Sequence, residues 1–100
     1  MIITFIIHIQ LIYSNYDLQY RSIKKKIIYR SNYRGTKEMD KLLSSFTNRY
    51  INELNESDLI DLENLLDIDD LNLYNFYMGL KTEIQFKENK VNLLFKNFKL

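Results

Sequence analysis

Apolar side chains recur at three- and four-residue intervals through most of this chain, and little interrupts them: Gly35 and Gly79 are the only glycines, and there is no proline in 100 residues. This confines the fold. A chain with helical periodicity, few breakers and no sustained apolar–polar alternation folds as packed α-helices, not as a sheet. What remains is where each helix stops. From Tyr16 the first helix carries Tyr20, Ile23 and Ile27 on one stripe, with Arg21, Lys24, Lys25 and Lys26 mostly off it. It should end near Tyr33 or Arg34, with Gly35 at the break.

A second helix is expected from about Thr36 to Leu54, with Met39, Leu42, Leu43, Phe46, Tyr50 and Leu54 as its apolar stripe. Asn55 is a good N-cap for a third, with Asp58 favouring the positive helix end. Leu59, Leu62, Leu65 and Leu66 face inward from that helix. Asp69 caps a short fourth helix through Leu73, Tyr74, Phe76 and Tyr77, which Gly79 ends. The stretch "TEIQ", Thr82 to Gln85, fits a capping box for a fifth helix lined by Ile84, Val91, Leu94, Phe95 and Phe98. The expected architecture is a small all-α five-helix bundle over residues 16–100, in one domain with one modest core.

Residues 1–15 form an apolar extension outside that core. "MIITFIIHIQLIY" is apolar over 13 residues, short of the roughly twenty that span a membrane. It has neither the basic start and cleavage site of a secretory signal nor the early arginines of a mitochondrial presequence. The expected chain is therefore not an integral membrane protein, and its expected compartment is a bacterial cytoplasm, or a mitochondrial matrix if the source is eukaryotic.

The equipment for catalysis is thin. His8 is the one histidine and cysteine is absent, which removes thiol chemistry, cysteine-held metals and any assembled triad. Asp67, Asp69 and Asp70 suggest calcium, yet an EF-hand loop counted from Asp67 needs glycine and glutamate where Asn72 and Met78 stand. They read instead as a helix end followed by an N-cap, or as a partner-facing acidic corner. The stretch "RSIKKKIIYR" mixes basic and aromatic residues. It supports an alternative reading, a small helical nucleic-acid-binding protein using Arg21, Lys24, Lys25, Lys26 and Arg30. A net charge of +1 does not argue for a nucleic-acid binder, and a solvated helix face is the competing reading of this stretch. No metal site and no phosphate-cradling glycine loop is evident.

The stretch "YRGTKEMD" places Arg34, Glu38 and Asp40 beside the glycine. Arg34 and Glu38 are four residues apart and would share a face on a continuous helix. Local physics leaves two readings open. One is a glycine break with an exposed ion pair, worth under about 1 kcal/mol. The other is a contact surface, where Gly35 admits another backbone and the charged groups supply directional hydrogen bonds.

The longer run "IIYRSNYRGTKEMDKLLSSF", residues 27–46, resembles the signature of the SdhE-type succinate dehydrogenase assembly factors, the flavinylation factors of bacteria and mitochondria. Tyr29, Ser31, Arg34, Gly35, Glu38, Asp40, Leu42, Leu43 and Phe46 fit that signature. "LNESDLIDLENLL" and "DIDDLNLYNFYMG" are similar to the segments that follow in the family, so the resemblance covers about residues 22–98. The chain departs from it at Leu71, where proline is common, at Asn72 for aspartate, at Phe76 for tryptophan and at Tyr33 for a basic residue.

The resemblance implies a five-helix protein that is not an enzyme and works as a monomer. It implies binding to the flavoprotein subunit of succinate dehydrogenase, or of fumarate reductase in some bacteria. There such factors promote covalent attachment of FAD to a histidine of the partner, and FAD is not stably bound by the factor itself. Carried over, the partner-binding residues are Arg34, Gly35 and Glu38, with Asp40 assisting. Arg34 is expected to pair with acceptors on the partner.

Overall fold

In the computed structural model residues 18–100 are described, and they form helices without strands. The apolar extension, His8 and the helix start expected at Tyr16 lie outside the described residues. Helix α1 occupies 18–32, α2 Lys37–Tyr50, α3 Glu56–Leu66, α4 Asp70–Tyr77 and α5 Lys90–Asn97.

The helix starts follow local chemistry. Thr36 Oγ1 accepts the Met39 N–H at 3.2 Å and opens α2. Asn55 and Asp58 exchange side-chain and backbone hydrogen bonds in a capping box that opens α3. Asp69 accepts from Asn72 N–H at 3.2 Å to open α4, and Asn89 from Asn92 N–H at 2.8 Å to open α5. At the end of α4, Gly79 adopts φ 72°. Its N–H donates to Phe76 O and that of Leu80 to Asn75 O, the paired bonds of a Schellman motif.

Asp69 links one cap to pH. The side-chain amide of Asn72, then its backbone N–H, hold the Asp69 carboxylate below the ordinary aspartate range. Because the folded-state pKa is depressed, this stabilisation is complete above the unfolded value of about 3.9 and is lost as pH falls through the lower folded value. Asp69→Asn keeps an acceptor but does not titrate. Its stability in urea is therefore expected to fall less steeply than wild type as pH drops below about 4. Superimposable acid profiles would remove Asp69 from the acid response.

The core joins all five helices. Ile27 enters from α1, and Met39, Leu42, Leu43 and Phe46 from α2. Leu59, Leu62, Leu65 and Leu66 come from α3, Leu73 from α4, and Val91 and Phe95 from α5. Ile51 and Leu54 are also buried, although α2 ends at Tyr50 and both lie in the turn after it. Phe46 is fully buried, its ring centroid 5.2 Å from Tyr50, 5.3 Å from Phe95 and 5.5 Å from Phe98.

The fifth helix corrects the sequence expectation. Residues 80–89 are not helical, and "TEIQ" forms no capping box: the Thr82 hydroxyl donates to Ile84 O at 2.6 Å. Ile84 does not line the core and is 41% exposed. Tertiary contacts outcompete the local pattern. The Phe86 ring stacks on Phe76 at 4.0 Å, and the Glu83 N–H is taken by Asn72 Oδ1 at 2.9 Å. Asn72 is buried and its Nδ2 donates to Asp69 Oδ1 at 2.8 Å. The aspartate common in the family at this position has no N–H to make that bond.

Candidate functional site

The turn between α1 and α2, residues 33–36, is built around the side chain of Arg34. Its guanidinium turns inward, and the side chain is 11% exposed. Nε donates to Asp70 Oδ1 at 2.9 Å, Nη1 to Leu66 O at 2.8 Å and Nη2 to Ile68 O at 2.8 Å. The carbonyl of Leu66, the last residue of α3, has no acceptor role within its own helix, and the arginine satisfies it. The other oxygen of Asp70 accepts the Gly35 N–H at 2.8 Å. Asp40 Oδ1 accepts the Arg34 N–H. One turn is thereby tied to α2, to the end of α3 and to the start of α4.

This arrangement decides what each expected residue does within the chain. The four-residue spacing of Arg34 and Glu38 does not form an ion pair, because Arg34 precedes α2 and shares no helical face with Glu38. Arg34 pairs with Asp70 instead, 36 residues away. Glu38 is exposed, with no side-chain hydrogen bond or ion pair among the described residues. Gly35 is exposed as well and needs no left-handed conformation. Its lack of a side chain matters for another reason: a Cβ there would lie 3.0 Å from Asp70 Oδ2.

Asp70 was not among the residues expected to form this site. With Asp67 and Asp69 it read as a helix end followed by an N-cap, or as a partner-facing acidic corner, and nothing nearby signals a reach to Arg34. The three aspartates that suggested calcium have separate tasks. Asp67 pairs with Arg30, Asp69 caps α4 and Asp70 holds the turn. Among the described residues no group of three His, Cys, Asp or Glu side chains is placed to hold a metal ion.

Beside the turn, α1 presents an apolar strip. The Tyr29 and Tyr33 rings lie 4.5 Å apart, and the residues are 63% and 70% exposed. Ile28, Lys25 and Asn32 line the shallow cleft around them. The basic side chains of α1 are largely engaged within the molecule. Lys26 pairs with Glu63 at 2.8 Å, Arg30 with Asp67, and Lys24 lies 4.4 Å from the Tyr20 ring. A basic face of this kind offers little free charge to a phosphate backbone.

The fold and this turn define a class: a small helical protein whose most elaborate polar construction is a clasped turn with the exposed Gly35 at its surface. Comparison with known proteins is more specific. Residues 25–99 match Sdh5, the family described as flavinator of succinate dehydrogenase. The chain belongs to that family. It is also 41% identical over 51 residues to "Succinate dehydrogenase assembly factor 2, mitochondrial" of Scheffersomyces stipitis. That alignment covers 51% of this chain and 34% of the relative, so the chain matches about a third of the relative's length. No solved structure matches the chain. Among the described residues no helix is long and apolar enough to cross a membrane.

Proposed function

We propose that this protein binds the flavoprotein subunit of succinate dehydrogenase and promotes covalent attachment of FAD to that subunit, acting as an assembly factor and not as an enzyme. The observation that carries this reading is the clasped turn inside the family-matching stretch. It holds Gly35 and Glu38 at the surface on a support fixed by three bonds from Arg34 and one from Gly35 itself. Roles divide accordingly. Gly35 admits the partner's backbone and Glu38 accepts hydrogen bonds from the partner, while Arg34 and Asp40 shape the turn from inside. The exposed Tyr29 and Tyr33 adjoin it. A preorganised contact costs less to bind than one ordered on association. The factor works as a monomer, holds no FAD stably, and leaves the bond-forming chemistry to the flavoprotein. Its compartment is that of the flavoprotein, a bacterial cytoplasm or a mitochondrial matrix. A fumarate reductase flavoprotein is a further client of the same chemistry.

The test is co-expression with a tagged flavoprotein subunit, scored for covalent flavin by fluorescence on a denaturing gel. Gly35→Arg places a long side chain on the proposed contact and is expected to reduce covalent flavin at least tenfold, a loss of about 1.4 kcal/mol or more in binding. Glu38→Ala removes an exposed group with no hydrogen-bonding partner within the described residues, so it should weaken co-purification while lowering the thermal midpoint by only about 5 °C or less, the loss of one carboxylate in the first turn of α2. Normal flavin fluorescence with Gly35→Arg would sink the contact assignment.

A further inference from the structure

We infer that Asp70 is a positioning residue for the contact surface: its carboxylate sets the orientation of the Arg34–Gly35 peptide that the partner meets. The inference rests on the function proposed above. Asp70 uses both oxygens on consecutive residues of the turn, Oδ1 on the Arg34 side chain at 2.9 Å and Oδ2 on the Gly35 backbone at 2.8 Å. An ionised carboxylate is the side-chain group that accepts on two oxygens at once. The Gly35 N–H therefore points toward α4, while Gly35 itself stays exposed at the surface.

Gly35 and Asp70 are a matched pair. A Cβ on residue 35 would approach Asp70 Oδ2 to 3.0 Å and crowd it, so glycine is favoured here by the room the carboxylate takes up and not by backbone conformation. The location of Asp70 adds a consequence. It is the first residue of α4, and α4 packs on α5. The contact surface on the α1–α2 turn is thus held from the other half of the bundle, through a residue that need not touch the partner. The same carboxylate is only partly covered, its side chain 28% exposed, and the cap of α4 belongs to Asp69. Changing Asp70 therefore leaves the helix start intact.

The experiment compares wild type, Asp70→Asn and Asp70→Glu for affinity toward the purified flavoprotein subunit. Circular dichroism follows folding, and amide hydrogen exchange follows Gly35. Asn offers one acceptor oxygen and turns an N–H₂ toward a donor. Glu keeps the charge but adds a methylene that displaces one of the two bonds. Both variants are expected to retain helicity, to lose exchange protection at the Gly35 amide, and to bind about tenfold more weakly, the loss of one charge-assisted hydrogen bond. If either variant loses Gly35 protection yet binds within about twofold of wild type, the positioning role is overturned. It is overturned as well if Gly35 protection persists in both. If wild type does not bind the flavoprotein subunit at all, the proposed function itself fails, a result distinct from those two.

Discussion

Arg34→Ala is expected to lower the stability of the domain by about 3 kcal/mol. The side chain is 11% exposed and makes three hydrogen bonds at 2.8–2.9 Å. Its removal leaves the Leu66 and Ile68 carbonyls without their donors and strips Asp70 of its counter-charge. A surface ion pair costs little to lose because water replaces the partner. These bonds lie at the part-buried α3–α4 junction, so they are partly shielded from water. For a domain of this size the loss corresponds to a fall in thermal midpoint of roughly 12–24 °C. Arg34→Lys should recover less than half of it, since one ammonium cannot serve three acceptors in a planar fork. Thermal unfolding followed by circular dichroism measures both. A fall of only a few degrees for Arg34→Ala would show that the clasp is a surface pair after all. Covalent flavin on the partner should fall with this variant too, even at temperatures where it remains folded, because the turn loses its inner support.

The second large effect is expected at Phe46. Phe46→Ala removes a fully buried ring that touches aromatic residues at the end of its own helix and in the C-terminal segment. Truncations of this kind cost about 3–5 kcal/mol, through lost burial and the cavity left behind. Domains are stable by only about 5–15 kcal/mol in total, so the variant should be near the limit of folding at 37 °C. Phe46→Leu keeps most of the volume and should cost much less. Hydrogen exchange in α5 gives the structural readout. Its amides should lose protection first in Phe46→Ala, because Phe95 and Phe98 lose the ring they pack on. Unchanged protection in α5 would mean that α3 and α4 alone hold that helix.

The two variants probe features with different visibility in the sequence. The aromatic at position 46 was legible as a core residue because it lies on a stripe of helical spacing. The caps at Asn55 and Asp69 and the stop at Gly79 were legible because each is satisfied within a few residues of itself. The start of α5 was misread for a complementary reason. Thr82 to Gln85 has the composition of a capping box, but Phe86 is drawn onto Phe76 and Glu83 onto Asn72. Those contacts lie 10 and 11 positions apart, outside any local pattern.

Arg34, Gly35, Glu38 and Asp40 were legible as a group, but not the direction in which each faces. Spacing suggested that Arg34 pairs with Glu38 or reaches outward, and the fold turns it inward to Asp70. Sequence by itself determined the helical class, three of the helix boundaries that cap chemistry sets, and the stretch around Gly35 as the place to look. These depend on interactions between near neighbours, whose geometry follows from the backbone of a single helix or turn. Only the tertiary structure decided that Arg34 and Gly35 are joined to Asp70, and that a side chain at position 35 would crowd this carboxylate. Such bonds close over more than thirty residues. They exist only once the core has brought the end of α3 and the start of α4 beside the α1–α2 turn.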